Sequence, residues 1–442
     1  MTGLVIRMTH YLGMHHDGAD SKHFTPFQIE MQRRLWWNIC VLDVQATEDQ
    51  GTELALAPSS HSTKLPSNMG DSDIWPEIER LPLERRGLTN VSLLRLCSKL
   101  TGSTQEMMAA RASVTVDDHH QRLNDLTQEL QRDYFGVTDE SRDPIHGALV
   151  GFVRIALGRL YLLSSFPALF SSPTEDISAE IRTKSLVAAI EILEHHHALN
   201  DTISYQPWRW VYQTQRHWHA IVFILIEICR RPWSPPIERA WLALQSQWLV
   251  PARAPIDKNF SVWVPLRKLM ARARKYREEQ ISRLRADPNY AVRVEEEAKL
   301  QIPVPSSSIT FPAYFDSERF NERWRQLVRP VAATTRSPLD DIDQRSTDHG
   351  MATFDANPGS FMTTNDIREM PYPTQPAAAA NDRNTGATSS ATVPWPGEST
   401  DSTESSNLDT FLGTDMDLGF LDAGDFLDFD WNSWFESTKG AL

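Results

Sequence analysis

By type and spacing, histidine is the residue best placed to do chemistry in this sequence. His10, His15, His16 and His23 crowd around Asp17, and His195, His196 and His197 form an unbroken run. Imidazoles and a carboxylate at short spacing are what a metal ion requires. Neighbouring histidines point different ways around a helix, however, and neither group has a second cluster at ligand spacing, so no metal site is expected. His217 and His219 flank Trp218 and read as core-edge residues. Glu48, Asp49 and Glu53 share one segment, but no base or metal stands at a defined spacing from them, and surface charge explains them. Gly-x-Gly-x-x-Gly, the P-loop, Gly-x-Ser-x-Gly, His-Glu-x-x-His and Cys-x-x-Cys are all absent. No catalytic, cofactor-binding or metal-ligating residue is expected, and the chain reads as a non-enzyme.

Cys40, Cys97 and Cys229 lie far apart among apolar or helical neighbours, the pattern of buried thiols in a reducing compartment. Charge is distributed unevenly. Residues 331–442 hold five basic side chains against 19 acidic ones, so the whole net charge of −14 sits there and the preceding 330 residues are neutral, with 39 of each sign. A neutral body has no overall electrostatic footprint for nucleic acid. The one dense basic stretch, Arg267 to Arg277, sits among Leu266, Leu269 and Met270 and close to Glu278 and Glu279, which suits the solvated face of an amphipathic helix; nuclear import is the other reading. The N-terminus has an arginine inside its apolar run and does not resemble a secretory signal. The apolar run Ala220 to Ile226 is too short for a bilayer, and no membrane partner is expected.

These residues must be positioned mostly by helices. Leu4, Met8, Tyr11 and Leu12 recur at helical spacing and stop at Gly13, and Gly18 ends the next stretch as a turn residue. Thr25-Pro26-Phe27-Gln28 has the form of a capping box, and Met31, Leu35, Ile39, Leu42 and Ala46 then give one continuous apolar stripe, widened by Trp36 and Trp37. A loop rich in Pro, Ser and Asn follows Gly51 and runs through Leu65 and Pro66 to Asp73. Further helices are predicted near 86–110, 117–135, 145–165, 173–198 (opened by a capping box at Ser172), 207–231, 236–249, 263–286 and 317–329. The segment from Ala220 to Ile228, apart from Glu227, reads as a buried core helix. The fold class is therefore all-α: an irregular multi-helix body over 1–330, a disordered linker over 331–406, and an acidic-aromatic segment over 407–438.

That last segment has no Lys or Arg and eight acids interleaved with aromatic and leucine side chains. Its carboxylates repel one another and keep the aromatics exposed. Leu427, Trp431 and Trp434 stand at i, i+4 and i+7, so with Phe426 and Phe435 they could fold as a helix into a hydrophobic groove of a transcription coactivator.

The opening Gly3-Leu-Val-Ile-Arg-Met-Thr-His-Tyr-Leu-Gly-Met-His-His-Asp-Gly18, followed by Pro26-Phe-Gln-Ile-Glu-Met-Gln-Arg-Arg-Leu-Trp-Trp-Asn-Ile-Cys-Val-Leu-Asp43, resembles the middle homology region of fungal binuclear zinc-cluster transcription factors. The likeness rests on Arg33, Arg34, Leu35, Trp36, Trp37, Asp43, Gly51, Leu65 and Pro66. His16, Gln32 and Leu54 depart from the family pattern, which weakens one salt bridge and one turn. Arg33 and Arg34 can pair with acids such as Glu30 and Asp43 or reach loop carbonyls. The resemblance is close over about the first eighty residues.

It implies a nuclear regulator of RNA polymerase II genes in a filamentous fungus, of a biosynthetic or catabolic gene cluster. Three scattered cysteines cannot supply the six thiolates of the family's two-zinc module. No cofactor is therefore expected in this chain, and zinc only if an upstream six-cysteine cluster exists. DNA would be reached through such an N-terminal module or a partner, with a homo- or heterodimer possible. A small-molecule-sensing helical domain without direct DNA contact is the alternative, and a pocket near Trp208, Trp210 and Trp218 would favour it.

Overall fold

The computed structural model describes residues 2–20, 23–50, 53–110, 114–135, 144–170, 178–212, 215, 217–249, 260–299, 303–309 and 317–330. The expected linker, the acidic-aromatic segment with Phe426, Leu427, Trp431, Trp434 and Phe435, and Gly51 all lie outside these residues.

Among the described residues the regular structure is helical, with no strand. The α-helices are α1 (Thr2–Tyr11), α2 (Pro26–Gln50), α3 (Ser92–Ala110), α4 (Val116–Leu130), α5 (Pro144–Phe170), α6 (Ala179–Asp201), α7 (Arg209–Tyr212), α8 (Trp218–Arg230), α9 (Pro235–Leu244), α10 (Phe260–Ala286), α11 (Pro288–Ala298) and α12 (Ser317–Val328). The fold class is all-α.

Local chemistry explains many of the ends. α1 stops where Gly13 takes φ +71°, a left-handed conformation that costs glycine nothing. The capping box that opens α2 is reciprocal: the Gln28 N–H donates to Thr25 Oγ1 (3.3 Å) and the Thr25 N–H to Gln28 Oε1 (2.9 Å). α6 begins at Ala179, where the Ser178 hydroxyl accepts from the Glu180 N–H; the expected start at Ser172 falls outside the described residues. The single helix predicted over 207–231 is divided. A 3-10 turn, Ile203–Trp208, contains Pro207, α7 follows for one turn, and α8 starts only at Trp218. α11 was not foreseen; the Asp287 carboxylate caps it by accepting from the Asn289 and Tyr290 N–H groups, with Pro288 as its first residue.

Two large apolar clusters hold the helices, with Leu242 and Phe320 forming a third, small one. The smaller joins Ile6 of α1 to Trp36, Trp37, Ile39 and Cys40 of α2 and to Leu56. The larger spans α3 to α12 and centres on α6, which packs along α5 and against α8 and α9. α8 is buried from Ala220 to Ile228, as its sequence requires. α5 is long and apolar enough to cross a membrane, but 78% of that stretch is buried inside the fold, so packing accounts for its character. On α10, Leu266, Leu269, Met270 and Ala273 are buried, and the Arg277 fork reaches Glu238, consistent with an amphipathic helix.

Polar groups penetrate this core in pairs. Glu227, which interrupts the apolar run of α8, has no exposed side-chain area; it accepts from Arg182 Nη1 and Arg231 Nε, each at 2.6 Å. Glu194 takes a two-point contact from Arg239 at 2.7 Å, and Glu191 accepts from Ser307 (2.7 Å) and Ser306 (3.3 Å). Residues 185–200 of α6 are buried without interruption, His195, His196 and His197 included. His197 shares a hydrogen bond with Ser246 (2.8 Å), and the His196 ring meets His217 edge-on at 4.7 Å. His217 is thus a core residue rather than a core-edge one. Burial lowers the pKa of His196 to about 3 and holds His195 and His217 well below 6.5.

Two expectations follow. With Arg182→Ala and Arg231→Ala combined, Glu227 is left buried and uncompensated, at a cost of about 3–5 kcal/mol in urea unfolding followed by circular dichroism. Adding Glu227→Leu recovers most of that loss, because the apolar isostere removes the stranded charge. The second concerns pH. The buried histidines fold in the neutral form, while the unfolded chain binds protons below about 6.5. Their contribution is complete above that pH and is lost as pH falls below it, so the unfolding midpoint declines from about pH 6.5 and keeps declining towards about pH 3, where His196 takes up its proton in the folded chain.

Candidate functional site

Of the residues singled out by sequence, the described family-motif ones, Arg33, Arg34, Leu35, Trp36, Trp37, Asp43, Leu65 and Pro66, lie on α2 and the loop that follows it. Three carboxylates face that loop and hold its backbone amides. Asp17, in the turn after α1, accepts from the Lys64 N–H (2.9 Å). Glu30, on the first turns of α2, accepts from the Ser67 N–H (3.2 Å to each oxygen). Asp43 accepts from the Leu56 N–H (2.9 Å) and the Ala55 N–H (3.4 Å). All three acids are buried. A buried carboxylate costs several kcal/mol unless it is paired, so each needs its donors.

Arg33 and Arg34 neutralise two of them. The Arg33 guanidinium meets Asp17 by two parallel bonds, Nε to Oδ2 and Nη2 to Oδ1, both 2.9 Å. Arg34 bridges Glu30 (Nε, 3.1 Å) and Asp71 (Nη1, 2.9 Å), joining α2 to the far end of the loop. Expected partners are thus partly exchanged: Arg34 finds Glu30, Arg33 takes Asp17, and Asp43 binds amides. The Asp17 carboxyl would be pushed up by burial, but Arg33 together with the Lys64 and Ala19 amides outweighs this and brings its pKa down to about 2.

Trp37 and Trp36 complete the joint. The Trp37 indole donates to the Lys64 carbonyl (2.9 Å), one residue before Leu65, which packs on the smaller cluster. The Pro66 carbonyl accepts from Arg95 of α3, whose Nε also donates to Tyr134 (2.8 Å). Trp36 is fully buried, with the rings of His10 and His61 at 5.7 and 5.4 Å. The His15 ring lies tilted against His10 (4.6 Å) and His16 (4.0 Å) and itself reaches Trp36 (6.3 Å), so His10, His15 and His61 pack around one indole. Among the described residues no three His, Cys, Asp or Glu side chains are placed to hold a metal ion. Gly18 is fitted to the same joint: a Cβ there would stand 2.6 Å from Gln32 Oε1 and 3.3 Å from Ile29 Cγ1.

One expectation is overturned. Met31, Leu35 and Leu42 are 43%, 46% and 50% exposed, so three of the five stripe positions turn outward, while Ile39 and the widening Trp36 and Trp37 face the core. The buried face of α2 instead carries Glu30, Arg33, Trp36, Trp37, Ile39, Cys40 and Asp43. Sequence reasoning treated charges as outward-facing, and the loop amides that accept them inside were not legible. Of the three cysteines expected to be buried, Cys40 is, while Cys97 and Cys229 are half-buried; desolvation pushes the thiols of Cys40 and Cys97 up to about 12 and that of Cys229 to about 11, away from the thiolate. Trp208, Trp210 and Trp218 differ in setting: Trp210 is 68% exposed, whereas Trp218 lies in the larger core.

The joint can be probed without knowledge of activity. Arg33→Ala strands Asp17 and costs about 3–5 kcal/mol of stability; Arg33→Lys recovers little, since an ammonium cannot make the two-point contact. In the parent protein the Asp17 contribution is present above its unfolded pKa, about 3.8, and is lost as pH falls towards about 2. Chemical unfolding over that range shows a slope that is missing in Asp17→Asn.

Residues 1–132 match the fungal specific transcription factor domain. The chain is 22% identical over 252 residues to the aurofusarin cluster transcription factor aurR2 of Gibberella zeae, covering 54% of this chain and 37% of that protein. It is 23% identical over 271 residues to the pyriculol/pyriculariol biosynthesis cluster transcription factor 1 of Pyricularia oryzae, covering 56% and 34%. With the C6 finger domain transcription factor nscR of Aspergillus fumigatus it shares 24% identity over 313 residues, covering 66% and 39%. The chain thus spans between a third and two-fifths of the length of these relatives. No solved structure matches. The family whose model residues 1–132 match, and these relatives by their names, are transcription factors.

Proposed function

We propose that this chain is a regulator of RNA polymerase II transcription in a filamentous fungus, acting in the nucleus on a biosynthetic or catabolic gene cluster. The observation that carries the reading is the match of residues 1–132 to the family, together with relatives whose names tie them to biosynthesis clusters. In this reading the helical body over 1–330 is the regulatory domain, the amide-holding joint of α2 is its scaffold, and 331–406 is a linker. The segment 407–438 recruits a transcription coactivator through Phe426, Leu427, Trp431, Trp434 and Phe435. DNA is contacted by an N-terminal zinc cluster outside this chain or by a partner, since Cys40, Cys97 and Cys229 are scattered and none joins a metal-capable group among the described residues.

The division of labour is testable with the whole chain fused to a heterologous DNA-binding domain and a reporter gene. The fusion drives transcription, and so does a shorter one carrying only 331–442. Trp431→Ala with Trp434→Ala brings both down towards the level of the DNA-binding domain alone. A silent intact tail would remove the coactivator role from this segment.

A further inference from the structure

One buried side chain clasps the segment that leads into α3. Asn68, 4% exposed, donates through Nδ2 to the carbonyls of Arg85 (2.7 Å) and Gly87 (2.9 Å), and its own carbonyl accepts from the Arg85 N–H (2.8 Å). Its Oδ1 accepts from the Thr89 hydroxyl (2.9 Å) and from that of Ser92 (3.4 Å). The clasp begins one residue beyond Ser67, whose amide Glu30 holds, so it continues the α2 joint. We infer that Thr89 is a phosphorylation site for a protein kinase that reads arginine three residues before its target, and that the phosphate opens this clasp.

Sequence and fold together select this hydroxyl. Arginine stands three residues before a Ser or Thr at four places in the chain: Arg86 before Thr89, Arg95 before Ser98, Arg182 before Ser185 and Arg231 before Ser234. Kinases use such charge patterns to choose substrates. Ser98 and Ser185 lie inside α3 and α6 and have no exposed area. Ser234 is hemmed between α8 and α9 beside the fully buried Trp233, and Glu227 already holds Arg231. Around Thr89 the setting is the reverse. Residues 81–89 contain no helix, Pro82 to Arg86 are all exposed, and Leu83 keeps 94% of its area in water. Gly87, at φ +83°, turns the chain between Arg86 and Thr89, and Arg86 has no ion pair among the described residues.

In the transfer, the γ-phosphoryl group of Mg·ATP passes to Thr89 Oγ1. The bond to the β-phosphate oxygen breaks, the P–Oγ1 bond forms, ADP leaves and the hydroxyl proton is released. Thr89 has to part from Asn68 for this step, and a surface segment held by a few hydrogen bonds opens locally while the core stays folded. Once modified, the segment cannot close again. Oγ1 has lost its proton, and the phosphate sets acceptor oxygens and a charge of about −1.5 to −2 against the Asn68 Oδ1, itself an acceptor. Turning the Asn68 amide over offers the phosphate a donor but points Oδ1 at the Arg85 and Gly87 carbonyls, so the clasp is lost either way. Arg86 is left to meet the phosphate.

The test is the full chain incubated with Mg·ATP and an activated calcium/calmodulin-dependent protein kinase, a class that requires arginine at this spacing, and read by peptide mass mapping and hydrogen exchange. The parent protein takes up phosphate at Thr89. Arg86→Ala, a change at an exposed side chain that leaves circular dichroism unchanged, slows that uptake by about tenfold or more. In the phosphorylated chain the amides of Arg85 and Ser67 exchange about tenfold faster, as the loss of one or two hydrogen bonds requires, while those of α8 keep their protection. A folded chain that takes no phosphate at Thr89, whether modified elsewhere or not at all, overturns the inference, as does an Arg86→Ala chain modified at the parent rate. Phosphate at Thr89 with unchanged exchange at Arg85 also overturns it, since the clasp would then have stayed shut.

Discussion

A carboxylate taken out of water must be given donors, and in this domain the donors are the backbone amides of one loop. Asp17, Glu30 and Asp43 are fixed on or beside α2 and hold the amides of Lys64, Ser67 and Leu56. Helices supply their own amides with partners, but an extended loop has none of its own, so the two needs are met together. Arg33 and Arg34 then balance the charge. Removing one member leaves another buried and unpaired, which is why the loop follows α2 closely although its only regular structure is two single 3-10 turns, Pro58–Ser60 and Asp71–Asp73.

The rest of the domain is assembled from that joint. The Pro66 carbonyl and Asn68 carry the loop on to Arg95 of α3 and to the backbone of Arg85 and Gly87. α3 in turn packs against both α2 and α5, linking the smaller apolar cluster to the larger one. The same logic recurs deeper in the molecule, where Glu191, Glu194, Glu227 and Glu238 are each met by an arginine. Such pairs contribute little net stability compared with apolar residues of the same shape, yet they restrict how helices can be arranged, because any other packing strands a charge.

How far the sequence could be read depended on whether the determining interaction was local. Thr25, Pro26 and Gln28 declare the start of α2, Gly13 the end of α1, and the unbroken apolar run of α8 its place in the core. The Asp287-Pro288 start of α11 was equally local and was overlooked. The break between α7 and α8 was less legible, because Pro207 sits within a segment otherwise apolar enough for one helix. The burial of His195, His196 and His197 had no local signal at all, since it follows from α6 being surrounded by α5, α8 and α9.

The candidate site divides along the same line. The sequence by itself determined that α2 is a long capped helix, that about the first eighty residues resemble a regulator domain, and that the net negative charge sits in residues 331–442, because caps, motifs and composition are properties of neighbouring residues. Which face of α2 is inside was decided only by the tertiary structure. Both faces carry large apolar side chains, and what admits acids to the inner one is a set of amides contributed by residues 12 to 47 positions away. Those amides admit Glu30, Arg33 and Asp43 to the interior, and Met31, Leu35 and Leu42 are turned outward as a result.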